Sequence, residues 1–255
     1  MKTDIIYKIL KEVGDKLITL KKNADYEYAI KGIDFKSNAD IIAERIIKEN
    51  LKKISNFPVV SEEDSASWKN INEENYWLID PIDGTASFCQ GFKGYVTQLA
   101  FMKNNRPIYG AVYSPEFNLF FHAIENHGAF CNWEKIKSQE IDNFNLKLID
   151  NYPKAKGIAK DIFDKFNCVE YLESGSLGLK ICRIAQGYSD IFIKDVNMKI
   201  WDLAPGDILL RELGSFVMDL NGKKIDYSKF DVQNGMVCCR DLNLSEKIIK
   251  YVNEK

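Results

Sequence analysis

The stretch that decides the fold is Tyr76–Phe88, YWLIDPIDGTASF. Its apolar run, Tyr76 to Ile79, reads as a buried strand. The run ends in two acids, Asp80 and Asp83, with Pro81 and Ile82 between them, and Gly84-Thr85 follows at once. One acid at a strand end is an ordinary turn former. Two at this spacing, with glycine directly after, suggest a held charge, a hard cation if the fold gathers further carboxylates here. Asp80 and Asp83 would face it from two sides, and the Ile82 carbonyl would add an oxygen. If a helix starts at Gly84-Thr85, its free N–H groups offer an anion site, and a phosphate would fit between them and the cation. Water on that cation would be the nucleophile, oriented by Thr85, which would pass the proton towards a carboxylate.

Outward from this stretch, elements alternate in blocks. Ile5, Ile6, Ile9, Leu10, Val13, Leu17 and Ile18 recur at helical spacing, so the start reads as an amphipathic helix rather than a signal peptide. A second helix follows Asp40. FPVVSEED is a short strand running into an acidic turn. YVTQLAFM, RPIYGAVYS and NLFFHAI predict an antiparallel meander. Residues 134–172 carry the weakest pattern. GSLGLKICRIAQG is a helix with start and stop signals, SDIFIK a strand, and WDLAPGDILLRELG a helix closed by Gly214. SFVMDLNGKKIDY predicts a hairpin turning at Asn221-Gly222, before a last strand, GMVCCR, and a last helix. Such blocks favour an α+β layered fold over a simple βαβ series.

The 255 residues are 45% hydrophobic and 28% charged, an ordinary globular composition with room for a large core. With 35 basic and 37 acidic residues there is no basic surplus to point to nucleic acid. No apolar run reaches the roughly 18 residues needed to span a membrane. The six cysteines form no C-x-x-C pair, which argues against a zinc ribbon and fits a reduced, cytoplasmic setting. The two histidines, His122 and His127, have no partners at metal-site spacing. Chemistry must then come from carboxylates, hydroxyls, lysines or a bound ion.

Four acidic groups fall at the ends of predicted elements: Asp40, Glu62-Glu63-Asp64, Asp80 with Asp83, and Asp202. Each alone has a bland reading. Asp83-Gly84 is a common turn, the Glu-Glu-Asp run a solvated loop, Asp202 a helix N-cap, and Lys180 a solvated helix lysine. Gathered in one pocket, the carboxylates could not all ionise without a hard cation such as Mg²⁺, Mn²⁺ or Ca²⁺. A glycosidase working with two carboxylates is the rival enzyme class, and it predicts activity unaffected by chelators.

WLIDPIDGTASF resembles the D-P-[IL]-D-G-T signature of the inositol monophosphatase superfamily of metal-dependent phosphatases. WDLAPGDILLRELG is similar to that family's second signature, VVSEED to its Glu-Glu metal loop, and SNAD to its early aspartate. The motifs come in the family's order and cover nearly the whole chain. The resemblance implies an αβαβα sandwich in one phosphatase unit, 1–255. Its lobes would be 1–133, with the metal motif, and 134–255, supplying Asp202 and substrate contacts. It implies that Glu63, Asp80, Asp83, Asp202 and the Ile82 carbonyl hold two or three ions, usually Mg²⁺. Asp40 and Thr85, with Glu63, would serve catalysis, while Gly84 and Thr85 hold the phosphate. Lithium inhibition is also implied. Homodimers occur in the family, as do monomers.

The substrate implied is a small phosphate ester. Ser87 stands where inositol phosphatases commonly have asparagine, which weakens an inositol substrate. SEED, GSLGLKICRIAQG and KIWDLAP look like segments of bacterial 3′(2′),5′-bisphosphate nucleotidases. A bisphosphate brings a second dianion that the metals cannot reach. Lys180 and Lys194, expected near the site entrance, would meet it, Lys180 aided by the helix start at Ser176. Asp195, by contrast, aligns with the acid that contacts inositol hydroxyls. A nucleotidase therefore ranks first, and inositol 1-phosphate or fructose 1,6-bisphosphate hydrolysis second. A family member that binds and regulates without catalysis is the reading of another class; the intact acid set argues against it.

Overall fold

The computed structural model describes residues 2–31, 34–138, 140–151 and 153–255. In chain order the elements begin with α1 (Thr3–Asn23), β1 (Tyr28–Lys31), β2 (Asp34–Ser37), α2 (Asn38–Ile54), β3 (Val59–Ser61) and β4 (Asn75–Asp83). There follow α3 (Thr85–Cys89), β5 (Val96–Lys103), β6 (Arg106–Ser114), β7 (Leu119–Ile124), β8 (Gly128–Cys131) and β9 (Glu134–Lys135). The second half holds β10 (Lys147–Asp150), α4 (Gly157–Lys165), β11 (Glu170–Glu173), α5 (Leu177–Gln186), β12 (Ile191–Lys194) and β13 (Met198–Lys199). It closes with α6 (Ile200–Arg211), β14 (Asp231–Val232), β15 (Met236–Cys239) and α7 (Leu242–Asn253). Met1, first in the stretch read as an amphipathic helix, lies outside the described residues.

Side-chain alternation along the strands builds five layers. Strands β3 to β9 form a seven-stranded sheet in sequence order. On β4, Trp77 and Ile79 face a cluster with Leu10, Val13 and Leu17 of α1 and Ala43 and Ile47 of α2. Tyr76 and Leu78 face the other way, against Leu179 and Ile184 of α5 and Leu203 and Ile208 of α6. A four-stranded sheet, ordered β11-β10-β12-β15, covers the far side of α5 and α6 with Phe192 and Cys238. Its outer face, with Leu148, Ile191, Ile193 and Val237, packs on Ile162 of α4 and Ile248 of α7. The result is the αβαβα sandwich expected from the sequence.

Helix α6 is apolar all round because both its sides meet a sheet; ten of its residues, Ile200 and Trp201 to Leu210 without Asp202, are buried. It approaches β6 most closely at Gly110, where an added Cβ would meet the Pro205 carbonyl oxygen and lie 2.6 Å from Ile208 Cγ2. The meander and the helices fall where the sequence placed them. Two local readings need correction. The YWLID strand does not stop at Asp80; β4 runs on to Asp83. The hairpin at Asn221-Gly222 is reduced to a turn, tied by Gly222 N–H to Asp219 O at 3.0 Å and single bridges from Met218 to Lys224 and Val237. Asp219 Oδ1 takes the N–H groups of Asn221 and Lys223, so a side chain replaces the ladder.

Replacing Gly110 by alanine is expected to cost about 1–3 kcal/mol, because neither β6 nor the α6 backbone can retreat from a filled interface. Urea unfolding should show a lower midpoint, while an exposed substitution such as Lys103→Ala leaves the midpoint nearly unchanged.

Candidate active site

The local puzzle of DPID is geometric. Residues three apart on a regular strand point to opposite faces. Here the register against β5 slips: Asp80 pairs with Gln98, and Asp83 with Val96. Three steps on β4 match two on β5, so the strand bulges at Pro81–Ile82, where a missing N–H costs no ladder bond. The bulge puts Asp83 back on the face of Asp80, while Ile82 turns into the α1–α2 side.

On that shared face α6 adds Asp202. Oxygens of Asp80, Asp83 and Asp202 lie within 4.8 Å of one another. Asp80 and Asp83 are buried and Asp202 half-buried. Asp202 is the third residue of α6, and its Oδ2 accepts from Lys199 N–H at 2.9 Å. Asp83 is held hardest: Oδ2 accepts from Ser176 Oγ and Gly178 N–H, both at 2.6 Å, and Oδ1 from Leu177 N–H at 3.2 Å. Those donors form the start of α5, so the C-terminal half of the chain fixes an acid of β4. Asp80 Oδ1 is buried with no hydrogen-bond partner. Among the described residues none of the three acids is in an ion pair. Burial lifts the carboxyl pKa of all three, and for Asp80 the neighbouring charges of Glu62, Asp83 and Asp202 lift it further. A tight, oxygen-only, buried cluster with an unpartnered oxygen fits a hard divalent cation.

Beside the triad stand Thr85 and Asp40. Gly84 takes φ 90° and starts α3. Thr85 Oγ1 lies 3.1 Å from Asp40 Oδ1 and 2.9 Å from the Ile82 carbonyl oxygen, two acceptors for one hydroxyl proton. Asp40 is buried near the start of α2, where Oδ2 accepts from Ser37 N–H at 3.0 Å. Burial first, then the charges of Glu63 and Glu62, push its carboxyl up to about 8. The acidic turn divides its labour. Glu62 stands beside Asp80, and burial and Glu63 raise its carboxyl to about 7. Glu63 instead faces Asp40 and lies 3.6 Å from Lys36 Nζ. Glu63 is therefore not in the tight triad, and Glu62 is the nearer acid to Asp80.

Two further expectations are corrected. Ser176 does not face an open site: it is fully buried, and its hydroxyl serves Asp83. Lys180 does not stand at an entrance. It is fully buried, its Nζ bonds Asn151 Oδ1, and it lies over the Phe192 ring. Lys194 is half-buried with its Nζ 2.5 Å from Asp150 Oδ1, and Asp195 is exposed.

One site residue escaped the sequence reading: Gln98. It is fully buried, and its Nε2 reaches Trp201 O at 3.1 Å, Asp80 Oδ2 at 3.3 Å and Asp83 Oδ2 at 3.4 Å. Trp201 O is free to accept because Pro205, four residues on, has no N–H to give it. The only signal in the sequence was a glutamine inside the apolar YVTQLAFM.

Comparison with known proteins agrees with this geometry. The family model described as the inositol monophosphatase family matches residues 3–255. The chain belongs to the inositol monophosphatase family. It is thus a phosphatase, a hydrolase of phosphoric monoesters, and the family is metal-dependent. The fructose-1,6-bisphosphatase/inositol-1-monophosphatase of Thermotoga maritima is 30% identical, over 98% of this chain and 95% of that protein. The 3′(2′),5′-bisphosphate nucleotidase CysQ of Salmonella typhimurium is 28% identical, over 88% of this chain and 92% of its own. An IMPase/NADP phosphatase solved with Mg²⁺ and phosphate shares the fold, with a TM-score of 0.83 at 23% identity over 99% of this chain and 95% of that one. No helix among the described residues is long and apolar enough to cross a membrane.

The raised carboxyl pKa values give a signed expectation. A carboxyl raised in the folded state stabilises the fold at low pH and loses that contribution as pH climbs through the folded value. For Asp40 and Glu62 the loss runs from about pH 4 up to about 8 and about 7 respectively. Metal-free protein should therefore lose thermal stability over this range, and added Mg²⁺ should restore more at pH 8 than at pH 5. An Mg²⁺-induced Tm shift independent of pH would refute this. Gln98→Leu is expected to lower phosphate release at least tenfold, since it leaves Trp201 O unpaired and frees Asp80 and Asp83 to move apart; circular dichroism checks that it folds.

Proposed function

We propose that this chain is a Mg²⁺-dependent phosphatase of a bisphosphate nucleotide, 3′-phosphoadenosine 5′-phosphate, whose second phosphate is held apart from the metals, with AMP and phosphate the products. One observation carries the reading. Helix α5 carries both the N–H groups that hold Asp83 and, a turn later, Lys180. The anchors of Asp83 and a buried lysine thus belong to one rigid element.

Asp80, Asp83 and Asp202 would hold the ion, with Glu62, Glu63 and the Ile82 carbonyl as the nearest further oxygens. When bound, divalent cations there supply the positive charge that polarises a phosphate and acidifies a water. Thr85 orients that water, and Asp40 receives its proton through the Thr85 hydroxyl. A carboxyl pushed up to about 8 is matched to taking a proton near neutral pH. The Gly84 and Thr85 N–H groups contact the phosphate oxygens. The new P–O bond forms to the water oxygen as the ester P–O bond breaks, and the leaving oxygen picks up a proton. Beyond the reacting group, Lys194 meets the second anion at the rim, with Lys180 behind it. These two stand at the carboxyl edge of the parallel β10 and β12, where ligands of such sheets bind. The chain acts as one unit in which residues 134–255 contribute Asp202. Six free cysteines suit the reducing cytoplasm.

The second reading, hydrolysis of inositol 1-phosphate or fructose 1,6-bisphosphate, is favoured by the two activities in the Thermotoga relative's name and by the exposed Asp195, free to meet hydroxyls. Phosphate release from 3′-phosphoadenosine 5′-phosphate, inositol 1-phosphate and fructose 1,6-bisphosphate, with Mg²⁺ and with chelator, separates the two. The bisphosphate nucleotide is expected to be cleaved best and only with metal. Preference for inositol 1-phosphate would move the assignment to the second reading, and chelator-resistant turnover would overturn the metal mechanism. Asp83→Asn should cut turnover by about 10²-fold or more while the protein still folds.

A further inference from the structure

The edge of the C-terminal sheet holds a charge that the motif does not ask for. Strands β10, β11 and β12 run parallel, and β10 lies beside β12 with Leu148 opposite Ile191. Their carboxyl ends therefore place Asp150 next to Lys194. Asp150 Oδ1 sits 2.5 Å from Lys194 Nζ and 3.9 Å from Lys180 Nζ. All three side chains are largely out of water, at 9%, 15% and 1% exposure. At those depths screening is weak, so the pairing is felt at close to full strength. Two lysines converge on one carboxylate, and Asp150 Oδ1 receives no directional hydrogen bond from either. It is held by charge and position rather than by a satisfied bonding geometry.

We propose that Asp150 is a specificity-determining residue: it occupies, from within the chain, the position between Lys180 and Lys194 that the second anionic group of a substrate would take. The proposal rests on the two-lysine reading given above. A carboxylate fixed at the end of a strand has two effects on an arriving phosphate. It repels the dianion directly, and it cancels one of the two positive charges meant to receive it. With both lysines charged, the cluster carries a net charge of +1, against +2 without Asp150. Lys180 sharpens the balance. Burial, then Lys194, bring its ammonium down to about 7 while Asp150 works the other way, so whichever anion lies between the lysines, Asp150 or an arriving phosphate, helps hold that charge on. With Asp150 in place, the pocket holds a second anion less tightly than two unopposed lysines would, and it also admits a substrate whose far end is uncharged. Substrate breadth is thus set by one carboxylate outside the metal site.

The test compares wild type, Asp150→Asn and Asp150→Asn/Lys194→Gln. Asparagine keeps shape and removes charge, and circular dichroism with a thermal melt checks folding. With Mg²⁺ at fixed ionic strength, kcat/KM is measured for 3′-phosphoadenosine 5′-phosphate and for inositol 1-phosphate. Asp150→Asn should raise the bisphosphate-to-monophosphate ratio by about tenfold or more, chiefly through a lower KM, the scale of one charge interaction at this range. The added Lys194→Gln should remove the gain. A ratio that stays flat or falls in a folded variant overturns the proposal and leaves the phosphatase reading standing. If wild type releases phosphate from neither ester, that reading fails instead. Calorimetric binding of 3′-phosphoadenosine 5′-phosphate with Ca²⁺ then decides the role of Asp150 without turnover: tighter binding to Asp150→Asn supports it, and equal or weaker binding overturns it. Should Asp150→Asn not fold, Lys194→Gln alone is read in its place. A lower ratio supports the pocket, and an unchanged one overturns it.

Discussion

Two acids three residues apart on a strand cannot share a face unless the strand slips by one residue, and the rest of this site depends on that slip. The bulge at Pro81–Ile82 brings Asp83 round to Asp80, and like-charge repulsion then has to be met at close range. The fold meets it unequally. Asp83 is anchored by Ser176, Leu177 and Gly178, Asp202 by one backbone N–H, and Asp80 Oδ1 by nothing. The anchors on Asp83 are charge-assisted and short, so that acid is the fixed point. The open oxygen of Asp80 is where positive charge is wanted. Because the anchors come from α5 and the third acid from α6, the site exists only when both sheets have closed on the central helix layer.

That dependence explains why the sandwich is built as it is. Helices α1 and α2 need one apolar stripe each, since they cover a sheet from outside. Helix α6 is buried on nearly every side, and its first turn brings Asp202 into the triad. Its near approach to β6 at Gly110 keeps that first turn close to β4 and β5. Gly178 plays the matching part on α5: an added Cβ would crowd Gln98 and come within 3.1 Å of Asp83 Oδ2. Small residues at these two contacts let backbone, rather than long side chains, set the spacing of the acids.

Much of this was legible in the sequence because it lay in one continuous pattern. Tyr76 to Ile79 and the meander are apolar runs bounded by turns, α5 has Ser176 before it and Gly187 after it, and the D-P-I-D-G-T run sits on a single strand and turn. What stayed hidden depended on contacts between distant segments. The choice between Glu62 and Glu63 is made by a turn, which has no period to read. Lys180 looked like a surface lysine, yet it lies between Leu179 and Ile181 on a helix covered from both sides. The strands β1, β2, β10 and β11 are four residues each, too short for alternation to announce them. The Asn221-Gly222 hairpin failed for the opposite reason: its turn chemistry is real, but Met218 pairs with Val237 as well as with Lys224 and is drawn off towards β15.

Pro205 shows how a residue that looks like a fault in one element can be a requirement of another. In a helix interior, proline leaves the carbonyl four residues back without its donor. Here that carbonyl is Trp201 O, which lies in the first turn of α6 next to Asp202. Gln98 supplies the missing hydrogen bond, and doing so fixes the amide whose Nε2 also lies near Asp80 and Asp83. An N–H at position 205 would compete for Trp201 O and leave Gln98 less firmly aimed. The buried Gln98 is costly only while a hydrogen-bonding group goes unmatched, and the proline provides the match for its donor. A defect in the α6 ladder is thus met by the amide N–H of a core strand, and their meeting point is the floor of the acid triad.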